Sequence, residues 1–385
     1  MVADDSVLVV GGGIAGLALS RALRQRGIPA AIAERSAAPA TGGLAINLPG
    51  NAVSALAALG LRDGLERLGR PIRRREYRSM RGRLLFAVDE DAFWGPEARP
   101  RCVRRSDLIA LLDDDSEASA LREASTVESV RLTQPGAEVA FDDGRTEPHG
   151  FVVGADGVRS VVRATVFGHE GVRPAMLSAA SWRFMVPNPG IDNWTAWTGP
   201  AGVILLIPVD GNAVYGYASA TSGGSVDADP TWLHTTFRHF AAPVPEVLDI
   251  ALRHPESLYH SPVAEVRTSV WARGRCVLIG DAAHATAPVW AQGAALAMED
   301  ALVLADLLAD GSWDGVGARY EDRRRDRVTH IQAMTDRFSR IAAMPPWLRD
   351  LVTPLMGPKS YRATYGPLRL SPVDDGSPAG RGACG

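Results

Sequence analysis

Apolar positions along the chain alternate between strand-like runs and helix-like periodicity at its two ends. Val7-Leu8-Val9-Val10 is a short continuous apolar run, the pattern of a strand buried on both faces of a parallel sheet. Ile14 to Arg26 follows with helical spacing: Ile14, Leu17, Ala18 and Leu23 share one side, with Arg21, Arg24 and Arg26 elsewhere. Gly27 ends this helix, and Ala30 to Ala33 is a second short strand that runs into Glu34. The same style returns late. Cys276-Val277-Leu278-Ile279 reads as another buried strand, and Gln292-Gly293 opens a long Ala- and Leu-rich helix to about Leu308. That helix is apolar on most sides, which predicts a buried position.

The stretch between them behaves differently. Asn51 is placed as the N-cap of a helix that ends near Gly60. Arg70 to Arg83 is arginine-rich around Tyr77 and reads as a strand and turn, either an anion site or the solvated face of a sheet. Arg101 to Arg105 predicts a strand, with Ser106 capping a helix through Leu112. Thr126 to Leu132 and Ala137 to Phe141, with an Asp142-Asp143-Gly144-Arg145 turn, form an antiparallel meander leading into Phe151-Val152-Val153. Ala175 to Ala220 is rich in β-branched and aromatic residues and predicts the antiparallel strands of a second domain, followed by a helix near Pro230 to Phe240. Tyr215 and Tyr217, two apart, share a face; they either line a cavity for a planar ligand or pack the sheet. Alternating charges over 319–341 predict an exposed helix, and the Gly/Pro/Ser-rich residues from Ser371 predict a disordered tail.

Composition changes this picture little. In 385 residues, 46% hydrophobic and 22% charged positions suit a globular protein of two or three domains. A net charge of −3 gives no reason to expect a nucleic acid or an anionic membrane as partner. The start is acidic where a signal peptide would be basic, no run is long enough for a membrane span, and Cys102, Cys276 and Cys384 lie far apart. These features predict a reduced, cytoplasmic setting and no metal.

The chemistry is concentrated in three motifs. Gly11, Gly13 and Gly16 form G-x-G-x-x-G between the first strand and helix. The first glycine permits a tight turn, the second lets a pyrophosphate approach the backbone, and the third lets helix and strand pack closely. Glu34 follows Gly16 at about the distance of an acid that holds a ribose hydroxyl. Strand, glycines, helix, strand and acid in order point to an adenine dinucleotide, either NAD(P) or FAD. Asp156-Gly157 and Gly280-Asp281 each follow an apolar strand, which puts a carboxylate at the strand's C-terminal end, where open α/β sheets bind ligands.

Together these segments resemble the group A flavoprotein monooxygenases, the family with the p-hydroxybenzoate hydroxylase fold. The likeness covers about residues 5–365 and is carried by GGGIAG with Glu34, by Arg105 to Leu108, by GADGVRSVVR at 154–163 and by GDAAHATAPVWAQGAALAMEDA at 280–301. It implies an α/β, Rossmann-like FAD-binding domain from 1–70, 100–172 and 265–335. It also implies an inserted antiparallel substrate sheet from 71–99 and 173–264, and a C-terminal helical segment over 336–370. Resident FAD would be held by Gly11, Gly13, Ile14, Ala15, Gly16, Glu34, Arg35, Arg105, Asp156, Gly157, Gly280 and Asp281. Pro288, Gln292, Gly293 and Ala294 would meet its ring. NADPH or NADH is then a transient reductant and O2 a co-substrate, and a C4a-hydroperoxyflavin transfers oxygen to a small aromatic or polyketide-like molecule. Arg183, Tyr215 and Tyr217 are the candidates for substrate activation or cavity lining, while His284 reads as structural. Ala291 stands where the family usually has glycine. A Trp194-Thr195-Ala196-Trp197 pair without a following Ile-Pro argues against halogenation. The rival readings are a flavin oxidase or reductase, a flavoprotein without net redox chemistry, and a carrier of aromatic ligands.

Overall fold

The protein was analysed as a computed structural model, which describes residues 6–37, 44–113, 121–122, 124–168, 171–176, 178–221 and 224–373. Two sheets organise it. The first has six strands, in the order Ala272–Arg273, Cys276–Leu278, Phe151–Gly154, Val7–Val10, Ala30–Ala33 and Leu121–Arg122. All its pairs are parallel except Ala272–Arg273 against Cys276–Leu278. Val7–Val10 and Phe151–Gly154 are buried at every position, because helices cover both faces of a parallel sheet. On one of those faces Ile14–Arg24 packs along the helix Gly293–Ala309.

The second sheet has seven strands, in the order Tyr259–Pro262, Ala180–Pro187, Ala213–Ala220, Gly202–Pro208, Trp194–Thr198, Arg74–Ser79 and Leu84–Asp89. One face packs on the helices Thr231–Phe237 and Val244–Leu252 through Phe184, Ile204, Leu206, Val214, Phe237 and Val247. The opposite face carries Tyr77, Trp194, Ala196, Leu205, Tyr215 and Tyr217. Arg183 lies opposite Tyr217, and Tyr217 opposite Leu205, so this face is continuous across three strands. The predicted meander is present as Val127–Leu132, Ala137–Phe141 and Thr146–His149, a separate three-stranded sheet. Two long helices close the chain, Val316–Ala342 and Pro346–Tyr365, the first running unbroken through residue 336.

Four local expectations are corrected. Asn51 is not a cap: Pro49 takes the N-cap position, and Asn51 is buried one residue inside Gly50–Ala58. Ser106 lies inside the helix Arg105–Asp113. The arginine-rich strand is not merely a solvated face. Arg75 is 2% exposed and paired with Glu90 at 2.7 Å, while Arg74 and Arg78 both pair with Glu76. The helix over 319–341 is exposed only on one side, for Tyr320, Arg324, Val328 and Ile331 face inward. The helix Val244–Leu252 carried no expectation. Most of the expected tail, 374–385, falls outside the described residues, as do the Gly-Gly residues 42 and 43.

Candidate active site

The glycine motif forms the turn its spacing predicts. Gly11 has φ +108°, and a Cβ there would sit 2.6 Å from the Ala155 carbonyl oxygen. A Cβ on Gly16 would be 1.9 Å from the Gly11 carbonyl oxygen, which explains the third glycine. Gly13 is different: nothing lies within 4 Å of its would-be Cβ. It is the N-cap of Ile14–Arg24 and has no side-chain cap, so the first N–H groups of that helix are left for a ligand. Glu34 receives the Gly12 N–H at 2.7 Å and the Ser36 N–H at 2.9 Å, which fixes its carboxylate beside the turn. Arg35 is exposed at the end of the same strand.

Asp156 ends the neighbouring strand. One carboxylate oxygen receives the Val161 and Val162 N–H groups, and the other is buried without a hydrogen-bond partner. Burial pushes this carboxyl up despite those hydrogen bonds. Gly157 has φ +77° and open space around it. Asp281 starts the short helix after Gly280, itself at φ +58°. Its side chain is exposed, but the protein around it displaces water and pushes its carboxyl up, against the charges of His284, Arg105 and Arg183. Arg105 is half-buried with its Nε unpartnered, and it lies close enough to Asp281, Arg183 and Tyr259 to feel their charges.

The loop after Pro288 leads into the helix Gly293–Ala309, whose N-terminus has no side-chain cap. A Cβ on Gly293 would lie 3.7 Å from Asp281 Oδ1, so the Gly280-Asp281 motif and this helix end meet. Pro288 is exposed, while Gly293 and Ala294 are half-buried. The Gln292 side chain is 1% exposed and turned inward, exchanging hydrogen bonds with Asn51 at 2.9 and 3.1 Å. Only its backbone faces the loop. Ala291 adopts φ 53°, ψ 34°, the left-handed conformation that glycine takes without cost.

Residues missed by sequence reasoning brace this loop from behind. Asp300 receives the Gly280 N–H at 2.8 Å, meets His284 Nε2 at 2.7 Å and pairs with Arg324 Nε at 2.7 Å. Glu299 binds Asn51 at 2.8 Å and also pairs with Arg324 and Arg327. Two adjacent acids in the middle of a largely apolar helix were the signal that could have revealed the network. His284, 2% exposed and edge-on to Trp271, belongs to it. A second brace runs from the C-terminal helix: Tyr365 donates to the Trp290 carbonyl at 2.7 Å, and Tyr361 donates to Glu90.

Across the cleft, Arg183 is half-buried on Ala180–Pro187. Its charge acts on Tyr215 and Tyr217 on one side and on Asp281 and Arg105 on the other. Tyr215 is buried and Tyr217 half-buried, and burial pushes both phenols up, against the pull of Arg183. The structure therefore brings the three sequence motifs together, with Arg183 within electrostatic reach of both Asp281 and the two tyrosines.

The FAD binding domain family matches residues 4–337. The chain is 30% identical to the aurachin C monooxygenase/isomerase of Stigmatella aurantiaca over 91% of its own length and 94% of that protein. It is also 30% identical to the 2-heptyl-3-hydroxy-4(1H)-quinolone synthase of Pseudomonas aeruginosa, over 94% and 96%. Among solved structures, Klebsiella pneumoniae HpxO in complex with FAD and uric acid superposes with a TM-score of 0.77 at 27% identity, covering 94% of this chain and 92% of that one. The 2-methyl-3-hydroxypyridine-5-carboxylic acid oxygenase shares the fold at 23% identity, with a TM-score of 0.78 over 96% and 97%. Open space stands where a Gly13 side chain would be, and Arg105 Nε and one Asp156 carboxylate oxygen are buried without a protein partner. The chain belongs to the FAD binding domain family, among the FAD-dependent aromatic monooxygenases with the p-hydroxybenzoate hydroxylase fold.

Proposed function

We propose that this enzyme hydroxylates or epoxidises a small aromatic or polyketide-like molecule held between the Gly280–Ala294 segment and the sheet face bearing Arg183, Tyr215 and Tyr217. FAD, reduced by NADPH or NADH, supplies the activation of O2. In this reading Gly11, Gly13, Ile14, Ala15 and Gly16 hold the pyrophosphate at the helix N-terminus, and Glu34 holds the ribose. Arg35 flanks the adenosine, while Arg105, Asp156 and Gly157 serve the phosphates and the cleft. Gly280 and Asp281 take the ribityl hydroxyls, and Pro288, Gln292, Gly293 and Ala294 present backbone to the ring. The first sheet, from 1–70, 100–172 and 265–335, then forms the FAD domain; 71–99 and 173–264 form the substrate domain. Residues 336–370 complete the wall.

The observation that carries the proposal is the position of Arg183, whose charge reaches the Gly-Asp motif of one sheet and the tyrosine pair of the other. Arg183 presents a guanidinium fork of N–H donors, so it can anchor a substrate hydroxyl as its oxyanion. Tyr215 and Tyr217 remain protonated phenols, since burial raises them from a starting value of 10.0. They donate hydrogen bonds and do not act as bases. The relatives' names span urate, aminohydroxybenzoate and alkylquinolone chemistry, all on planar rings.

The test is to purify the protein with FAD and screen aromatic compounds for stimulated NAD(P)H oxidation, with mass spectrometry of the products. Oxygen incorporation into product is expected. Oxidation of NAD(P)H with no oxygen in any product would instead mark an oxidase or reductase. Arg183→Met should lower the stimulated rate at least tenfold while FAD stays bound; unchanged kinetics would remove Arg183 from the mechanism. Tyr217→Phe should leave any rate inflection between about pH 6 and 9 in place, because a phenol raised by burial does not titrate there.

A further inference from the structure

A cavity of about 110 Å³ lies between the seven-stranded sheet and the last two helices. Tyr77, Leu85, Phe86 and Val203 wall it from the sheet, Phe338 and Ile341 from the first helix, and Val352 and Met356 from the second. Trp290, of the loop after Pro288, forms part of its roof. The lining contains no carboxylate. Its one cation, Arg349, donates from Nη2 to the Gly199 carbonyl at 2.9 Å, while its Nε and the Trp290 indole N–H are buried without a hydrogen-bond partner. The lining hydroxyl of Thr353 is spent, donating to the Arg349 carbonyl at 2.7 Å.

The cavity lies on the sheet face that carries Arg183, Tyr215 and Tyr217. Leu205 pairs with Tyr217, and Val203, two residues along the same strand, points to the same face. Two residues of strand span about 7 Å. Tyr77 stands 5.2 Å from Trp194, ring centroid to centroid, on that face as well. The apolar chamber therefore shares a sheet face with Arg183, Tyr215 and Tyr217 and lies between that face and the C-terminal helices, with Trp290 of the loop after Pro288 in its wall.

We infer that the substrate of this site carries an apolar arm, an alkyl or similarly slim hydrocarbon substituent on its ring, and that the arm occupies this chamber. The inference rests on the aromatic monooxygenase reading for the ring end. The chamber's chemistry sets the class of arm: its walls are chiefly aliphatic and aromatic, so hydrocarbon surface gains from removal from water here, whereas an ammonium would be desolvated with no carboxylate to meet it. The walls also explain the shape of the last helix. Gly357 has no room for a side chain, since a Cβ would meet Phe86 at 2.3 Å, and its absence lets the helix approach the sheet closely enough to close the chamber.

The test is to titrate the FAD-loaded protein with two series, para-n-alkylphenols and n-alkanols of increasing length, and to read binding from the flavin spectrum and from calorimetry. NAD(P)H oxidation is followed in parallel. Each added methylene should tighten binding roughly fourfold until the chamber is full, after which the gain stops. Val203→Phe and, from the opposite wall, Ile341→Phe should each reduce that factor towards one in both series. Binding without dependence on chain length in either series, or dependence that both variants leave intact, would overturn the chamber as the arm's site. A chain-length effect that both variants abolish, with no phenol stimulating NAD(P)H oxidation, supports the chamber and counts against the aromatic reading.

Discussion

Gly13 and Gly16 sit three residues apart and face opposite demands. At Gly16 any side chain collides with the Gly11 backbone, so Gly16→Ala should lower unfolding stability by about 2 kcal/mol or more and abolish FAD binding. At Gly13 a methyl group meets nothing in the protein, so Gly13→Ala should unfold like wild type by denaturant titration while binding FAD at least tenfold more weakly. Equal loss of stability in both variants would contradict this division of roles. Ala291 is the reverse case, a side chain where the backbone favours none. A left-handed alanine costs about 1 kcal/mol, part of which glycine returns through a freer unfolded chain. Ala291→Gly should therefore raise the denaturation midpoint slightly, and a lowered midpoint would show that the Cβ packs usefully. The glycines and acids of the three motifs were legible in sequence because their reasons are local. Asn51 was not, since its partners Gln292 and Glu299 come from the far end of the chain; a polar residue near a helix start looks like a cap until those partners are known.

The helix Gly293–Ala309 shows the same contrast over a longer stretch. Its burial follows from its composition, but Glu299 and Asp300 are 1% and 0% exposed within it. They are tolerable because Arg324, also 0% exposed, reaches both from the helix Val316–Ala342. That helix reads as solvated because its charges alternate, and Arg324 and Arg327 turning towards Glu299 leave no mark on the pattern. Arg324→Met would strand buried carboxylates beside the loop, at a cost of about 3–5 kcal/mol by chemical denaturation. Since Asp300 also holds the Gly280 N–H, FAD affinity should fall in the same variant. A stable Arg324→Met protein with normal FAD affinity would mean that the network is not a brace. The C-terminal helix Pro346–Tyr365 contains Pro354 and Pro358, a pattern that argues against a helix of that length. Packing on Phe86 and the Tyr361 and Tyr365 hydrogen bonds hold it together, tertiary forces that no local reading contains.

For the molecule as a whole, the buried acids set the response to pH. Burial alone would raise Asp300 from 3.8, but His284 and Arg324 more than offset it and hold the carboxyl at about 2. Glu299 is lowered from 4.5 in the same way, its burial outweighed by Arg327 and Arg324. A carboxyl lower in the folded than in the unfolded state stabilises the fold above its unfolded value and loses that contribution as pH falls towards the folded one. Stability should thus decline from about pH 4.5 down to about pH 2, by on the order of 2 kcal/mol for Asp300 alone, and Asp300→Asn should flatten that decline. Asp156 and Asp281, pushed up by burial, oppose that decline, so the comparison decides: an Asp300→Asn profile as steep as wild type across that window would contradict the assignment. The first sheet has one further consequence, which lies in time. Val7–Val10 sits between Ala30–Ala33 and Phe151–Gly154, and Cys276–Leu278 is added beyond them. A chain made from its N-terminus carries the glycine turn long before the strand that delivers Asp281 has left the ribosome. With Asp281 in the cofactor role proposed above, FAD meets its complete set of contacts only once that late strand has docked, which makes its capture a late event in folding and its binding a clasp on the last third of the chain.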